Sequence, residues 1–305
     1  MDDRRIYKNV FAGDGEMERQ HSHVAIGTHY RDSADLAARL RDLLYEAGLA
    51  TGTVSPEDMV ALDQFHVGGM AATADLADLL SITQGTKVLD VGSGLGGPSR
   101  YLTYRFGCHV CGVELLQGYC EVARMIARLM GLQDDVSYQQ ADALNLPFPD
   151  RSFDIVWTQH VVMNIEDRAS LYKELRRVVK PNGYLAFHDV VQSQGGPLHF
   201  PLPWAGDASL NHLRTADETR TILKDSGFES HVWEDVTGNA LAWFRSRERN
   251  QISARKPLLD LQTIMGDEFP TMLRNFRRNL EENRCSILQA VLQRCDQAEG
   301  CAKPH

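Results

Sequence analysis

From residue 87 onward the chain alternates short apolar runs with amphipathic helical stretches, and nothing else in it restricts the fold as strongly. KVLDVG, HVCGVE, VSYQQAD and FDIVWTQ read as strands, and YLAFHDVV as a further one. Between them PSRYLTYRFG reads as a helix closed by Gly107, LQGYCEVARMIARLMGL as a second, and RASLYKELRRVVKPNG as a third stopped by Pro181-Asn182-Gly183. Strands that are short apolar runs are buried on both faces, so this alternation predicts an α/β architecture with a parallel sheet between two helical layers. After residue 190 the pattern stalls. GGPLHFPLPWAGDASLNHL, with its prolines, reads as an ordered loop, ADETRTILKDSGF as a helix ended by Gly227, and ESHVWEDVT as a strand. Residues 241–283 are charged and mostly helical in pattern, and CSILQAVLQR reads as a final strand, with a helical continuation as the competing reading.

The first 80 residues have a different texture. Residues 1–30 are polar. SADLAARLRDLLYEAGL puts Leu36, Leu40, Leu43 and Leu44 on one helical face, with Ser33 as N-cap and Gly48 as stop. SPEDMVALDQF is a short helix with Pro56 in its first turn, and GGMAATADLADLLSI a helix running up to the central pattern. At 305 residues and 43% hydrophobic, the chain supports one large domain or one domain with a cap. A net charge of -9 argues against nucleic acid as a partner, because a phosphate backbone is repelled. No apolar run is long enough for a signal peptide or a membrane span, so a cytoplasmic location is expected. Six cysteines are scattered, and Cys108-His-Val-Cys111 falls in a strand where i and i+3 face opposite ways; free thiols are expected. His21-Ser-His23 has no acid or cysteine cluster nearby, so no metal site is expected.

VLDVGSGLGGPSRYL contains G-x-G-x-x-G at Gly92, Gly94 and Gly97. A glycine turn between strand and helix lets backbone approach a ligand closely, and the helix N-terminus favours negative charge. For a dinucleotide that charge is pyrophosphate, which Asp90 beside the loop would repel. An acid there suits the ammonium and sulfonium of S-adenosylmethionine. Glu114, 24 residues on at the end of the second strand, suits both ribose hydroxyls. Asp142, after the third strand, suits an adenine amino group. This Asp–Glu–Asp series, at the ends of three consecutive strands, is far more specific than the glycines alone.

D90-V-G-S-G-L-G-G, Glu114, A-D142-A-L-N-L-P-F, S-F-D-I-V-W and R-V-V-K-P-N-G-Y-L together resemble the class I S-adenosylmethionine-dependent methyltransferases over residues 81–235. The resemblance implies a Rossmann-like seven-stranded sheet ordered 3-2-1-4-5-7-6 with the last strand antiparallel. It further implies an N-terminal helical cap over 1–80 and a methyltransferase domain over 81–305, with a helical insertion at about 241–283. The cofactor site it implies comprises Asp90, Gly92, Ser93, Gly94, Glu114, Leu115, Asp142, Ala143 and Gln159, with Gln159 at the methionine portion. QFHVGGMAAT supplies His66, with Gly68 and Gly69, near the cofactor in similar enzymes, and His66 is a further candidate for contact with the substrate.

Methyl transfer needs an in-line nucleophile, and a hydroxyl or protonated amine must also lose a proton. His160 follows Gln159 and has the right intrinsic pKa for a base; many small-molecule methyltransferases carry an acid there instead. Asp189 near the end of strand five either faces the substrate or caps a loop. Asn164 with Met163, and Trp204 with Phe200, are candidates for the substrate wall. The chain most resembles bacterial small-molecule enzymes, including sarcosine and dimethylglycine N-methyltransferases, which implies a small amine or amino acid as acceptor. The runners-up are O- or C-methylation of an aromatic or isoprenoid ring and a non-catalytic cofactor-binding protein. The helices at 245–283, with Leu258, Leu259, Leu261 and Met265, pack either over the site or against a second copy in a homodimer.

Overall fold

The computed structural model describes residues 23–31, 36–49, 54–253 and 260–295. Seven strands form one sheet in the order β3-β2-β1-β4-β5-β7-β6. They are β1 (Lys87–Val91), β2 (His109–Glu114), β3 (Val136–Gln140), β4 (Phe153–Gln159), β5 (Val179–Gln192), β6 (Phe228–Asp235) and β7 (Cys285–Arg294). β1 to β5 run parallel. β7 lies antiparallel between β5 and β6, so CSILQAVLQR is a strand and not a helical continuation. The chain winds outward from β1 through β2 to β3 and then crosses back to β4. The carboxyl ends of β1 and β4 therefore open a crevice, the usual ligand position in such sheets.

At the centre of the sheet both faces are buried, which is why β1, β4 and β7 show no polar alternation, whereas the edge strands β3 and β6 carry exposed positions. Leu89, Val91, Val156, Leu185 and Phe187 meet Leu171 and Leu175 of the helix Arg168–Val178 on one face. Val88, Ile155, Trp157, Ala186 and Val291 meet Leu76, Leu102 and Ala123 on the other. Each such side chain stabilises by about 1.5–3 kcal/mol. The helix Arg168–Val178 passes straight into β5. Pro181-Asn182-Gly183 forms an irregularity in that strand, where pairing jumps from Phe153↔Val179 to Ile155↔Tyr184, and not the break between helix and strand.

The N-terminal residues pack against the helix Gln117–Leu129. Leu36, Leu40 and Leu44 are buried with Val122 and Ile126, and with Leu95 of the glycine loop. The helix Leu36–Glu46 begins beyond the described break, so Ser33 as its N-cap lies outside the described residues; so do His21, Leu258, Leu259 and Cys301. Among the described residues the helices Thr237–Ser253, Leu261–Met265 and Phe269–Glu281 lie between β6 and β7. Leu261 and Met265 face inward, packing with Phe269 and Met272 beside Tyr30 and Phe65. The cysteines at 108, 111, 120, 285 and 295 are free thiols. No helix among the described residues is long and apolar enough to cross a membrane.

Candidate active site

A cavity of about 710 Å³ opens at the carboxyl ends of β1, β2 and β4. Gly92 and Gly94 form its floor with φ of 71° and 55°. A side chain at Gly92 would lie 2.5 Å from Val161, whereas Gly94 has open space where a Cβ would stand. Glu114 is held by backbone donors: Gly94 N–H at 2.9 Å and Leu116 N–H at 3.1 Å. A carboxylate offers about four lone-pair sites, so an oriented one also accepts ligand hydroxyls. Asp142 accepts from Leu144 N–H at 2.8 Å and lies 3.5 Å from His23 Nε2. Leu115, Ala143 and Gln159 line the same cavity.

Two predicted cofactor residues stand behind this wall. Asp90 is 2% exposed, does not line the cavity, and accepts a 2.5 Å hydrogen bond from Ser99 in the first turn of the helix Gly97–Phe106. Burial pushes its carboxyl up to about 7. Alternation along β1 sends it under the loop, where it braces the helix start. Ser93 is also buried off the cavity, its N–H bonded to Val113 O and its hydroxyl without a protein partner. Behind both, Arg100 and Asp63 form a buried ion pair at 2.6 Å. The Asp63 carbonyl oxygen comes so close to Gly97 that a Cβ there would sit 2.4 Å away.

Of the catalytic candidates, the structure brings His160 to the cavity and leaves Asp189 out. Asp189 accepts from Val161 N–H at 2.9 Å and from Thr158 Oγ1 at 3.3 Å. It pins the turn that abuts Gly92, and burial raises its carboxyl to about 6. His160 occupies that turn with φ 54°, and its N–H bonds to His188 O. Its Nε2 is buried with no protein partner. Its ring stacks on His188 at 5.6 Å and meets His66 edge-on at 6.2 Å. Burial, with His188 and His66 adding to it, holds its pKa well below the ordinary value, so the imidazole is neutral. Among the described residues no group of three His, Cys, Asp or Glu is placed to hold a metal ion.

His66, a candidate for the substrate, is 3% exposed and absent from the cavity wall. It sits beneath the wall, between the helix Gly69–Ala77 and the sheet. Asn164 and Trp204 do line the cavity. Asn164 Nδ2 donates to Trp204 O at 2.7 Å, and its Oδ1 accepts from Tyr30 at 3.2 Å. Trp204 donates from Nε1 to Asn211 and packs edge-on against Phe276 at 5.0 Å. Residues 23–31 close the opening: besides Tyr30, His29 Nε2 donates to Pro203 O, and Tyr119 donates to Tyr30 O. Met163, Phe65, Ile26 and Ile165 complete an apolar wall, whereas Phe200 packs outside it with Val67 and Trp204. No lysine or arginine lines the cavity among the described residues.

Sequence reasoning missed Tyr30, His188, Thr73 and the Asp63–Arg100 pair. For His188 the signal was present, since LAFHDVV interrupts an apolar run with two polar residues, of which only Asp189 drew attention.

Residues 89–187 match the family model described as a methyltransferase domain. Methyltransferase GfsG of Streptomyces halstedii is 38% identical over 134 residues, which are 44% of this chain and 48% of that protein. The sarcosine/dimethylglycine N-methyltransferase of Halorhodospira halochloris is 29% identical over 188 residues, 62% of this chain and 66% of that protein. The chain thus spans less than two-thirds of either relative. Among solved structures, the geranyl diphosphate C-methyltransferase of Streptomyces coelicolor superposes with a TM-score of 0.64 at 18% identity, over 90% of this chain and 98% of that one. At that identity the likeness is one of fold.

Proposed function

We infer that this chain, which carries a class I methyltransferase domain, transfers the methyl group of S-adenosylmethionine to a hydroxyl on a largely apolar small molecule. The observation that carries the acceptor side is the cavity wall: a neutral His160 stands among apolar and aromatic side chains, and among the described residues no lysine or arginine lines it.

The residues present suit the cofactor. Glu114 and Asp142 are oriented by backbone donors, Gly94 leaves open space, and the buried Nε2 of Gln159 has no protein partner. An unpaired buried amide is costly, and a ligand carboxylate would satisfy it. When bound, the cofactor supplies an electrophilic methyl group on a sulfonium that leaves as a neutral thioether. The chain's part is to exclude water, orient the acceptor and take one proton. The imidazole of His160 would take the proton that the acceptor hydroxyl gives up on methylation. In this reading residues 1–80 form the cap and 81–305 the catalytic domain, with the helices over about 241–283 lying on the acceptor side.

The described lining offers no cationic side chain, which disfavours phosphorylated or carboxylated acceptors, because a buried anion needs a partner. That weighs against dimethylglycine-like and diphosphate substrates. N-methylation of an amine is the second reading. It is favoured by the relative named for sarcosine and dimethylglycine and by Glu166 and Asp167 at the cavity wall. Release of S-adenosylhomocysteine against glycine, sarcosine, dimethylglycine, histidine, simple phenols and a short-chain quinol tests both. Turnover with the phenols or quinol is expected. Turnover confined to amines selects the second reading, and turnover with neither class counts against both.

A further inference from the structure

Gln159, at the end of β4, is held by two donors on one oxygen. Trp157 Nε1–H donates to Gln159 Oε1 at 3.0 Å, and Thr73 Oγ1–H donates to the same atom at 3.1 Å. An indole nitrogen can only donate, so this fixes which end of the amide is oxygen. The direction of the Thr73 hydroxyl is set one step further back. His66 Nε2 lies 2.9 Å from the carbonyl oxygen of Gly69, and a carbonyl only accepts, so the proton of His66 is on Nε2. The same nitrogen lies 3.1 Å from Thr73 Oγ1. Carrying its proton, it has no lone pair to receive from Thr73, whose hydroxyl hydrogen is therefore turned to Gln159. The other acceptor near that hydroxyl, Gln64 Oε1, is at 3.5 Å, the limit of a hydrogen bond. The side chains of His66, Thr73, Gln159 and Trp157 are all buried. Gln159 lines the cavity, and its Nε2 is buried without a protein partner.

We propose that His66 and Thr73 are positioning residues for the cofactor: through one fixed line of donors they hold Gln159 with its N–H available to the carboxylate of the methionine portion. The inference rests on the cofactor reading above. It assigns to the FHVGG segment a role in cofactor selection without contact to either ligand. It also accounts for a histidine at a position with no view of the cavity. A nucleoside that carries the adenosine but lacks the amino-acid portion has nothing for Gln159 to hold, and should not sense the relay.

The test is calorimetric binding of S-adenosylhomocysteine and of methylthioadenosine to the full chain, as wild type, Thr73→Val and Thr73→Ser. Valine keeps the shape of threonine and removes the donor; serine restores it. Loss of one such bond is expected to weaken S-adenosylhomocysteine by about fivefold in Thr73→Val. Methylthioadenosine should be unchanged, and Thr73→Ser should return the first ligand to near the wild-type value. Equal weakening of both ligands in Thr73→Val, or no weakening of either, overturns the relay. Wild-type protein that binds neither nucleoside overturns the cofactor reading itself, and the relay with it.

Discussion

His160 combines two features that a merely space-filling residue has no need of: a left-handed backbone at φ 54° and a buried ring nitrogen without a partner. A non-glycine residue in that region is uncommon, and asparagine tolerates it better than most. His160→Asn should therefore keep the turn, lower turnover by about a hundredfold or more, and leave S-adenosylhomocysteine affinity within about twofold. Retained turnover would remove His160 from the chemistry. The pH profile gives a second check. A base must be unprotonated, and burial holds this imidazole well below its ordinary value of 6.5, so the acidic limb of kcat should lie below pH 6.5. Asp90 makes the opposite case, a residue whose chemistry is spent on the scaffold. Asp90→Asn keeps an oxygen for Ser99 and should bind cofactor within a few-fold of wild type. Asp90→Ala should lose about 1–3 kcal/mol in a denaturant titration, because the Ser99 hydroxyl is then orphaned. Abolished binding in Asp90→Asn with stability intact would restore the direct contact expected from sequence.

At the scale of elements, the helix Pro56–Asp63 is clamped to the helix Gly97–Phe106 by the Asp63–Arg100 pair, whose side chains are 3% and 1% exposed. Removing one member leaves the other charge buried, so Arg100→Met should cost about 3–5 kcal/mol in unfolding free energy. A loss below about 1 kcal/mol would mean that water reaches Asp63 and the clamp is idle. This pair also marks where sequence reading stops. Strand positions were legible because burial on both faces leaves uninterrupted apolar runs. Gly94, Glu114, Asp142 and Gln159 were legible because each ends a strand or lies in the loop just beyond one, and strand ends converge on the crevice. The order of the strands came through family resemblance, since periodicity says nothing about which strands are neighbours. Asp90 and Asp189 lie off the cavity wall, and alternation signals it: each sits between residues whose side chains point the other way. Asp63 with Arg100, and Thr73 with Gln159, are contacts between distant parts of the chain, 37 and 86 positions apart. Local pattern carries no trace of them.

Taken as a whole molecule, the fold buries titratable groups of opposite habit close together. His66 and His188 are driven down to about 3 and about 4, and His160 is driven down as well, in each case by burial first. Asp90 and Asp189 are driven up to about 7 and about 6, and Asp63 also upward, again by burial first. Between pH 6.5 and about 4 the unfolded chain binds imidazole protons that the native chain refuses, so the histidines withdraw stability as pH falls. The acids act the other way. The native chain holds carboxyl protons that the unfolded chain has released, and this stability is present at low pH and lost as pH rises through the folded values. The two sets of groups thus oppose one another across the window. Single substitutions should unmask the two slopes. His188→Asn removes one refused proton, so relative to wild type it should gain about 1.4 kcal/mol for each pH unit of acidification. Asp90→Asn removes one held proton and should lose about the same for each unit. Urea titrations of the three proteins across that window measure the difference directly. Parallel curves would mean that these groups keep their ordinary pKa values in the native state, and that water reaches the core beneath the cavity. Diverging curves, with opposite signs for the two variants, would mean that the floor of the site is as dry as its burial implies, the condition under which an uncharged His160 can serve as a base near neutral pH.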